Sequence, residues 1–405
     1  MTFVQIGAGN IGRSFIGPLF ARAGYEVAFV DVDPMLLAAL QARGAYRVEV
    51  RDRQPDTIEV TGVRAVDGRD VAAVATELAA CRYAATAMGP KALPHAFPAL
   101  AQALMLRQER GAGPLDVILA ENLRDAARAV REGVRALLPQ GFPLEERLGL
   151  VETSIGKMVP IMSAEDRARD PLLVYAEAYN TLICDRRAFL SGVPSVPGVD
   201  AKDNMRAYVD RKAFIHNLGH ALCAYLGHLE APELVYTWEA VEHPRVGAAT
   251  RAGMWESARA LIAAYPEEFT EANQGAHIED LLSRFANRAL GDTIYRVGRD
   301  IVRKLGPEDR VIGALRFDRA QGTPAPLTTL CAAAGMLFRA TDEQGQPFEA
   351  DTRFAEDVYS QGVDHVLREV CGLVPGDGIY DAVRAAHDGI LRARAEGRSV
   401  LPDGV

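Results

Sequence analysis

Short apolar runs recur through the first half of the chain, and helically spaced segments separate most of them. The main runs lie at 3–6, 26–31, 83–88, 115–122 and 148–155. Runs of this length are typical of buried strands, and their alternation with helices predicts βαβ units in a parallel sheet. Three further strands are predicted at 46–50, 57–63 and 172–179, the first two as a pair inserted into this half.

The second half has a different pattern, in which every segment is spaced as a helix. These helices are predicted at 202–227, 245–265, 278–289, 293–305, 328–339, 355–371 and 380–395. A Pro/Gly-rich segment at 193–198 precedes the change, and 405 residues exceed what one core usually supports. We predict an α/β protein with a Rossmann-type domain over 1–193 and a mainly α-helical domain over 194–405.

The segment between the first predicted strand and the first predicted helix is rich in glycine, Gly7-Ala8-Gly9-Asn10-Ile11-Gly12. In this context the motif binds the pyrophosphate of a dinucleotide. Gly7 would permit the tight turn, Gly9 would let backbone amides approach the phosphates, and Gly12 would allow close helix packing. We therefore predict that residues 7–12 bind a dinucleotide, that 1–193 is the dinucleotide-binding domain and that 194–405 is the substrate domain.

Two further positions are assigned to the same cofactor. Asp31 ends the second predicted strand, about 20 residues beyond the glycines, where a carboxylate can accept from both ribose hydroxyls. This position favours NAD over NADP, and a loop or helix cap is the alternative role. Gly89 follows the strand predicted at 83–88, at the sheet edge where the cofactor is expected.

The helix predicted at 202–227 carries Lys212, Asn217 and His220 among mostly apolar neighbours. At about 100° per residue, the three side chains spread over less than half of the helix circumference and can converge on one small molecule. Lys212 could be the base in hydride exchange at a secondary alcohol, with Asn217 donating to the alkoxide. Alternatively, Lys212 reaches solvent, and Asn217 and His220 are hydrogen-bonded core residues.

Asn122 ends the strand predicted at 115–122, on the side where α/β sheets bind their ligands. Its amide could donate to the same substrate oxygen as Asn217. Capping of the next predicted helix is an equally good interpretation, because asparagine is a common N-cap.

Composition and charge restrict the kinds of partner and the cellular location that we expect. A net charge of −9 without a run of Lys or Arg argues against nucleic acid and membrane surfaces, so we expect a small-molecule substrate. Five scattered cysteines without a CxxC pair favour reduced thiols in the cytoplasm, and no metal-ligand spacing is found. Without a signal pattern or an 18-residue apolar run, we expect a cytoplasmic protein with no membrane span. We also expect a monomer.

Together, these motifs resemble the polyol-specific long-chain dehydrogenases. The resemblance rests on the Lys-x4-Asn-x2-His pattern at Lys212, Asn217 and His220 together with the glycine motif near the start of the chain. Shorter matches lie at 15–17, 121–122, 170–171, 194–198, 225–227, 284–285, 296–299, 303–305 and 309–310. The resemblance implies metal-independent, NAD-linked interconversion of mannitol 1-phosphate and fructose 6-phosphate. It implies that Lys212 is the general acid/base and that His220 orients the substrate. It also implies that Asn122 and Asn217 polarise the C–O bond.

The chain departs from the family pattern at two places. Gly156-Lys157 stands where an Asp-Arg pair is expected, and a tryptophan expected near Leu182 is absent. Lysine keeps the positive charge but lacks the fork that binds phosphate or carboxylate bidentately. An unphosphorylated polyol or a hexuronate is therefore the alternative substrate, and a non-catalytic NAD sensor is a third hypothesis. Lys157, Arg299 and Arg303 are candidate ligands for a substrate anion, each also open to a structural role.

Overall fold

The computed structural model describes residues 1–121, 123, 125–160, 162, 164–402 and 404. The chain divides into two compact units, Met1–Tyr208 and Val209–Val405. The first unit combines sheets with helices and the second consists of helices, which confirms the predicted fold class. The functional boundary at 193/194 stays a prediction.

The first unit is built on an eight-stranded sheet. The strands of this unit are β1 (Thr2–Ile6), β2 (Glu26–Asp31), β3 (Ala45–Val50), β4 (Asp56–Thr61), β5 (Val63–Asp67), β6 (Tyr83–Thr86), β7 (Leu115–Leu119), β8 (Leu148–Ser154), β9 (Val174–Ala176), β10 (Leu182–Asp185) and β11 (Val199–Lys202). The order in the large sheet is β11-β10-β8-β7-β6-β1-β2-β5, and the order in a smaller sheet is β4-β3-β9. In the large sheet, β8 and β10 are antiparallel and the other neighbours are parallel.

Helices lie between these strands, and one more follows the last strand. They are α1 (Gly17–Arg22), α2 (Pro34–Arg43), α3 (Val71–Ala80), α4 (Phe97–Glu109), α5 (Ala126–Arg135), α6 (Leu144–Arg147), α7 (Ala164–Arg169) and α8 (Met205–Arg211), with a π-helix at Gly12–Ile16 and 3-10 turns at Leu93–Ala96 and Arg186–Ala188. Alternate strand residues enter different apolar cores: Phe3 lies in one core and Val4 in the other. Both faces of the sheet are therefore covered, which explains why its central strands read as uninterrupted apolar runs.

Three strands differ from the sequence-based prediction. The strand predicted at 57–63 is two strands, because Gly62 (φ +68°) breaks it and Val63–Asp67 joins the edge of the large sheet beside β2. The four-residue strand Leu182–Asp185 was missed. The prediction that all segments beyond residue 194 are helical is wrong at Val199–Lys202, since these residues pair in parallel with β10.

The second unit contains the remaining helices. They are α9 (Leu218–Glu230), α10 (Thr237–Glu242), α11 (Pro244–Ala264), α12 (Glu271–Phe285), α13 (Ile294–Gly298), α14 (Ile301–Lys304), α15 (Ile312–Ala320), α16 (Pro326–Met336), α17 (Glu349–Arg353), α18 (Val363–Glu369) and α19 (Gly378–Ala395), with π-helices at Lys212–Asn217 and Phe354–Val358 and 3-10 turns at Arg288–Leu290 and Tyr359–Gln361. Helix α9 is central and packs against α11, α13 and α16. Across the described ranges, no helix is both long and apolar enough to cross a bilayer.

The helix predicted at 293–305 is interrupted. Asp300 has a left-handed backbone (φ +70°), and the segment is divided into α13 and α14. The carboxylate of Asp351 accepts from the amides of Asp300 (3.0 Å) and Ile301 (2.8 Å), which compensates the N-terminus of the second helix. The interruption depends on a residue 50 positions away, which local sequence patterns do not reveal.

A buried carboxylate in this unit should make stability depend on pH. Asp318 is fully buried and accepts from the Ser257 hydroxyl (2.9 Å), and burial, aided by Glu256, raises its pKa to about 7. The native state keeps this proton up to pH 7, whereas the unfolded chain loses it near pH 4, so the unfolding free energy falls as pH rises between these values. We expect Asp318→Asn to remove roughly 2 kcal/mol of that fall. Thermal midpoints of the parent protein and of Asp318→Asn at pH 5 and pH 8 measure this difference. The same change in midpoint with pH in the two proteins would contradict the prediction.

Candidate active site

The glycine loop, residues 7–12, directly follows β1, and its three glycines differ in the space around them. Gly7 has φ +92°, and a Cβ there would collide with the Ala87 carbonyl. A Cβ on Gly12 would collide with the Gly7 carbonyl, whereas one on Gly9 would meet no atom within 4 Å. The two outer glycines are thus fixed by packing, and the middle one borders open space, as an approaching pyrophosphate needs.

The helix after the glycine loop begins with a π-turn, because the Gly17 amide donates to the Gly12 carbonyl. Arg13 lies in this turn, and its buried guanidinium donates to the carbonyls of Ala8 (2.6 Å) and Leu172 (2.7 Å). The Tyr46 hydroxyl donates to the Arg13 carbonyl (2.7 Å). Arg13 therefore supports the loop from inside, a role that sequence reasoning missed.

Asp31 lies beside the glycine loop at the end of β2. Its Oδ2 accepts from the Ala8 amide (2.8 Å), and its Oδ1 accepts from the amides of Val32 (2.7 Å) and Asp33 (3.1 Å). These bonds fix the carboxylate between two loops, and a carboxylate has about four acceptor positions, so it can still accept from a ribose. Asp33 caps α2 by accepting from Met35 (2.9 Å), so the cap role weighed for Asp31 belongs to Asp33.

Glu121 is a second residue that sequence reasoning left without a role. Its buried carboxylate accepts from the amides of Met88 (3.0 Å) and Gly89 (2.8 Å), the loop that follows β6. Gly89, predicted to border the cofactor, has φ +82° and is held in place by this acidic side chain. Asn122, the next residue, lies outside the described residues, and both of its predicted roles stay open.

Weakening the Glu121 bonds should reduce cofactor affinity. Glutamine keeps one acceptor oxygen but directs an NH2 group at the second amide, so Glu121→Gln loses one charge-assisted hydrogen bond. We expect NADH to bind about tenfold more weakly, measured by fluorescence titration.

Asp116 provides the matched control for this variant. Near the opposite end of β7, it accepts from two adjacent amides, Leu190 and Ser191, each at 2.9 Å. Asp116→Asn should lower the thermal midpoint without weakening NADH binding. Equal losses of NADH affinity in the two variants would show that Glu121 acts only through stability.

The helix with the predicted catalytic residues contains a π-helix at Lys212–Asn217. The Leu218 amide donates to the Ala213 carbonyl five residues back, as in π-helical geometry. Residues five apart are then one turn apart, so Lys212 and Asn217 share a face, whereas α-helical geometry would separate them by about 140°. The sequence-based angles are wrong here, and the correction brings the two side chains closer.

Lys212 is partly buried, and its amine is near its titration point in the neutral to mildly alkaline range. Burial and, to a smaller extent, the Arg310 guanidinium lower its pKa to about 8 against the opposing effect of Asp309. Neutral and charged forms are then both accessible, as proton transfer requires.

His220 lies against the ring of Phe285, with centroids 4.2 Å apart and ring planes at 30°, and His216 is 5.1 Å away. Burial, with the surrounding cations, lowers the pKa of both imidazoles well below the usual value. A neutral imidazole has one donor and one acceptor, which suits a substrate hydroxyl. Within the described ranges, no cluster of three or more His, Cys, Asp or Glu side chains could hold a metal ion.

Four cations act on His220, and we call them the basic cluster: Arg284, Arg296, Lys304 and Arg310. Three of the side chains are largely withdrawn from water, Lys304 at 4%, Arg284 at 9% and Arg310 at 11% exposure, whereas Arg296 is 31% exposed. Burial, with the nearby arginines, lowers the pKa of Lys304 to about 6, and its amine donates to the Val297 carbonyl (2.6 Å). The three arginines also pair with carboxylates, Arg310 with Asp309 (2.8 Å), Arg284 with Asp280 (3.4 Å) and Arg296 with Asp292, so an anion at this cluster would share or displace these partners.

The sequence-predicted anion ligands have other partners. The Lys157 amine donates to the Tyr179 carbonyl (2.7 Å) and the Asn180 side chain (3.3 Å). Arg303 bonds to Asp300 (2.5 Å) and Asp309 (3.3 Å). Arg299 lies over the ring of Phe348 at 5.2 Å. These contacts favour the structural roles left open for them. The sequence analysis assigned no common role to the basic cluster, because its members come from separate segments of the second unit.

Two family models cover most of the chain: the mannitol dehydrogenase Rossmann domain matches residues 1–198, and the mannitol dehydrogenase C-terminal domain matches residues 204–377. The sequence is 33% identical to a mannitol-1-phosphate 5-dehydrogenase of Brevibacillus brevis over 95% of this chain and 97% of that protein. The chain belongs to the mannitol dehydrogenase family.

Solved structures of the same fold include other sugar-alcohol dehydrogenases. A ternary complex of Pseudomonas fluorescens mannitol 2-dehydrogenase with NAD and D-mannitol has a TM-score of 0.74 at 18% identity, covering 98% of this chain and 92% of that one. A substrate-free D-sorbitol dehydrogenase has a TM-score of 0.79 at 16% identity, covering 99% and 95%. At these identities the similarity shows the mannitol dehydrogenase fold and no more.

Proposed function

We propose that the chain is an NAD-dependent, metal-independent dehydrogenase that interconverts D-mannitol 1-phosphate and D-fructose 6-phosphate. The observation that carries the proposal is the Lys212 amine, whose pKa near 8 lets it accept and return a proton in the physiological range. The relative from Brevibacillus brevis, a mannitol-1-phosphate 5-dehydrogenase, supports the choice of substrate.

The glycine loop and Asp31 hold the dinucleotide in this proposal. The residues fit the group: Gly9 leaves open space for the pyrophosphate, and Asp31 is fixed beside the Ala8 amide. NAD is preferred because a carboxylate accepts from ribose hydroxyls and repels a 2′-phosphate. When bound, NAD supplies the hydride acceptor.

The continuous helical segment 205–230, which we call the lysine helix, carries the residues that move the proton and hold the substrate. In polyol oxidation, neutral Lys212 takes the hydroxyl proton while the carbinol carbon loses hydride and the C=O bond forms. Asn217, one π-turn away, donates to the same oxygen, and Asn122 is proposed as its second donor. Neutral His220 binds a neighbouring hydroxyl. In ketose reduction, the Lys212 ammonium returns the proton.

The basic cluster supports an anionic substrate. A phosphate carries up to two negative charges, and desolvated arginines such as Arg310 and Arg284 are suited to bind it. A carboxylate would gain from the same potential, so a hexuronate is the second candidate.

The test is NADH oxidation at 340 nm with fructose 6-phosphate, fructose, fructuronate and tagaturonate supplied in turn. Turnover restricted to fructose 6-phosphate is expected. Turnover with a uronate or with fructose alone would keep the mechanism and replace the substrate. NADH binding without turnover of any of the four would contradict the proposal and favour an NAD sensor.

A further inference from the structure

The edge of the large sheet beside Asp31 carries a second acidic residue. Strands β2 and β5 are parallel neighbours in which Asp31 pairs with Asp67, so the two side chains leave the sheet on the same side. The Gly68 amide donates to the Asp31 carbonyl (2.8 Å) and ties the loop after β5 to the end of β2. Asp67 therefore lies beside the residue proposed to bind the ribose.

Asp67 is bound to an arginine two residues further along. The Arg69 Nε donates to Oδ1 (2.9 Å), its Nη2 donates to Oδ2 (2.7 Å), and its backbone amide donates to Oδ1 (3.0 Å). These bonds lower the pKa of Asp67 to about 2, so the pair is ionised at every pH of interest. The guanidinium fork is thus occupied by a carboxylate.

The surrounding surface is suited to a bound nucleoside. Val32 and Met35, in the loop and helix that follow β2, have exposed fractions of 59% and 71%, and Val71, just after the Asp67–Arg69 loop, is 36% exposed. Apolar side chains exposed on both sides of Asp31 offer contact to a flat base. Dinucleotide-binding proteins that take NADP accommodate the 2′-phosphate with an arginine near the ribose-binding position, and the Arg69 loop is tied to the end of β2 at that position.

We propose that Asp67 is a specificity-determining residue, which disfavours NADP by filling the guanidinium fork of Arg69. This inference rests on the proposed function only in taking a nicotinamide dinucleotide as the cofactor. Discrimination then has two components: the Asp31 carboxylate repels a 2′-phosphate, and Asp67 cancels the positive charge that would attract it.

The experiment compares dinucleotide affinities, which need no sugar substrate. NADH and NADPH are titrated against the full-length protein and the variants D67N, R69Q and D67N/R69Q, with 2′,5′-ADP as an additional probe. Asparagine can still accept from the Arg69 amide but cannot hold the guanidinium by charge. We expect D67N to lower the ratio of the NADPH and NADH dissociation constants by three- to tenfold. The gain should disappear in D67N/R69Q and shrink at high ionic strength.

The control is the equivalent pair Glu396 and Arg398, which has the same two-residue spacing and the same 63% exposure of the arginine. E396Q should leave the ratio unchanged. An unchanged ratio in D67N overturns the proposal, and so does a gain that survives in D67N/R69Q, since Arg69 would then not be the cause. A parent protein that binds NADPH but not NADH would overturn the proposed cofactor as well.

Discussion

Lys212→Ala should abolish turnover and leave NADH binding nearly intact. The neutral amine is the proposed base, and loss of a general base typically costs 10²- to 10⁴-fold, so we expect kcat to fall about a thousandfold. Lys212→Arg should be equally inactive, because arginine keeps the positive charge but cannot give up its proton. Steady-state rates and NADH titrations of both variants measure this. Appreciable turnover in the arginine variant would show that Lys212 contributes charge and not proton transfer.

The pH profile provides an independent check on the same residue. Polyol oxidation needs the neutral amine, so its kcat/KM should rise with pH and level off above about 8. Ketose reduction needs the ammonium, so its kcat/KM should fall above the same pH. Profiles that are flat between about pH 6.5 and 9.5 in both directions would remove Lys212 from the proton-transfer step.

Asp31→Ala should weaken cofactor binding, which is the largest predicted effect after the loss of turnover in Lys212→Ala. The variant removes the acceptors proposed for the ribose hydroxyls and also the partner of the Ala8 amide, which lies 2.8 Å from Oδ2. With about 1.5–3 kcal/mol for a hydrogen bond to a charged group, NADH should bind roughly 10- to 100-fold more weakly. Discrimination against NADPH should weaken at the same time, because the negative charge is gone.

Asp33→Ala is the control for this loss. Asp33 caps α2 through the amides of Met35 (2.9 Å) and Leu36 (3.3 Å), so its removal should cost about 1 kcal/mol of stability. NADH affinity should remain within about threefold of the parent value. If Asp31→Ala leaves both affinity and cofactor preference unchanged, the ribose contact has been assigned to the wrong residue.

The local features of the first unit could be predicted from the sequence. The glycine loop, the strand before it and Asp31 lie within about 30 consecutive residues, and their spacing alone determines their arrangement. The β4 and β5 division was missed because Gly62 is a single residue in an otherwise continuous β-pattern. That error concealed the edge strand that places Asp67 next to Asp31.

The π-turn in the lysine helix and the basic cluster could not be predicted from the sequence to the same extent. The extra residue at 212–217 shifts the apolar phase by about 100°. The helix after it is buried on nearly all sides, so this shift leaves no visible break in the apolar pattern. Arg284, Arg296 and Arg310 lie on or beside different helices of the second unit. Only long-range packing places their charges where they lower the pKa of His220. Lys212 and His220 could be proposed as site residues from the sequence because their chemistry is unusual on an apolar helix, which did not require knowledge of their neighbours.

The π-turn at Lys212–Asn217 also affects how this chain should be compared and engineered. One residue more per turn puts the two ends of the long helix out of step by a single position. A relative with an uninterrupted α-helix would need a one-residue gap in its alignment within 212–217, and an alignment without this gap would match either Lys212 or His220 to the wrong neighbour. A chimera joined inside this segment must keep the extra residue, because its loss rotates every upstream side chain by about 100° relative to Asn217 and His220.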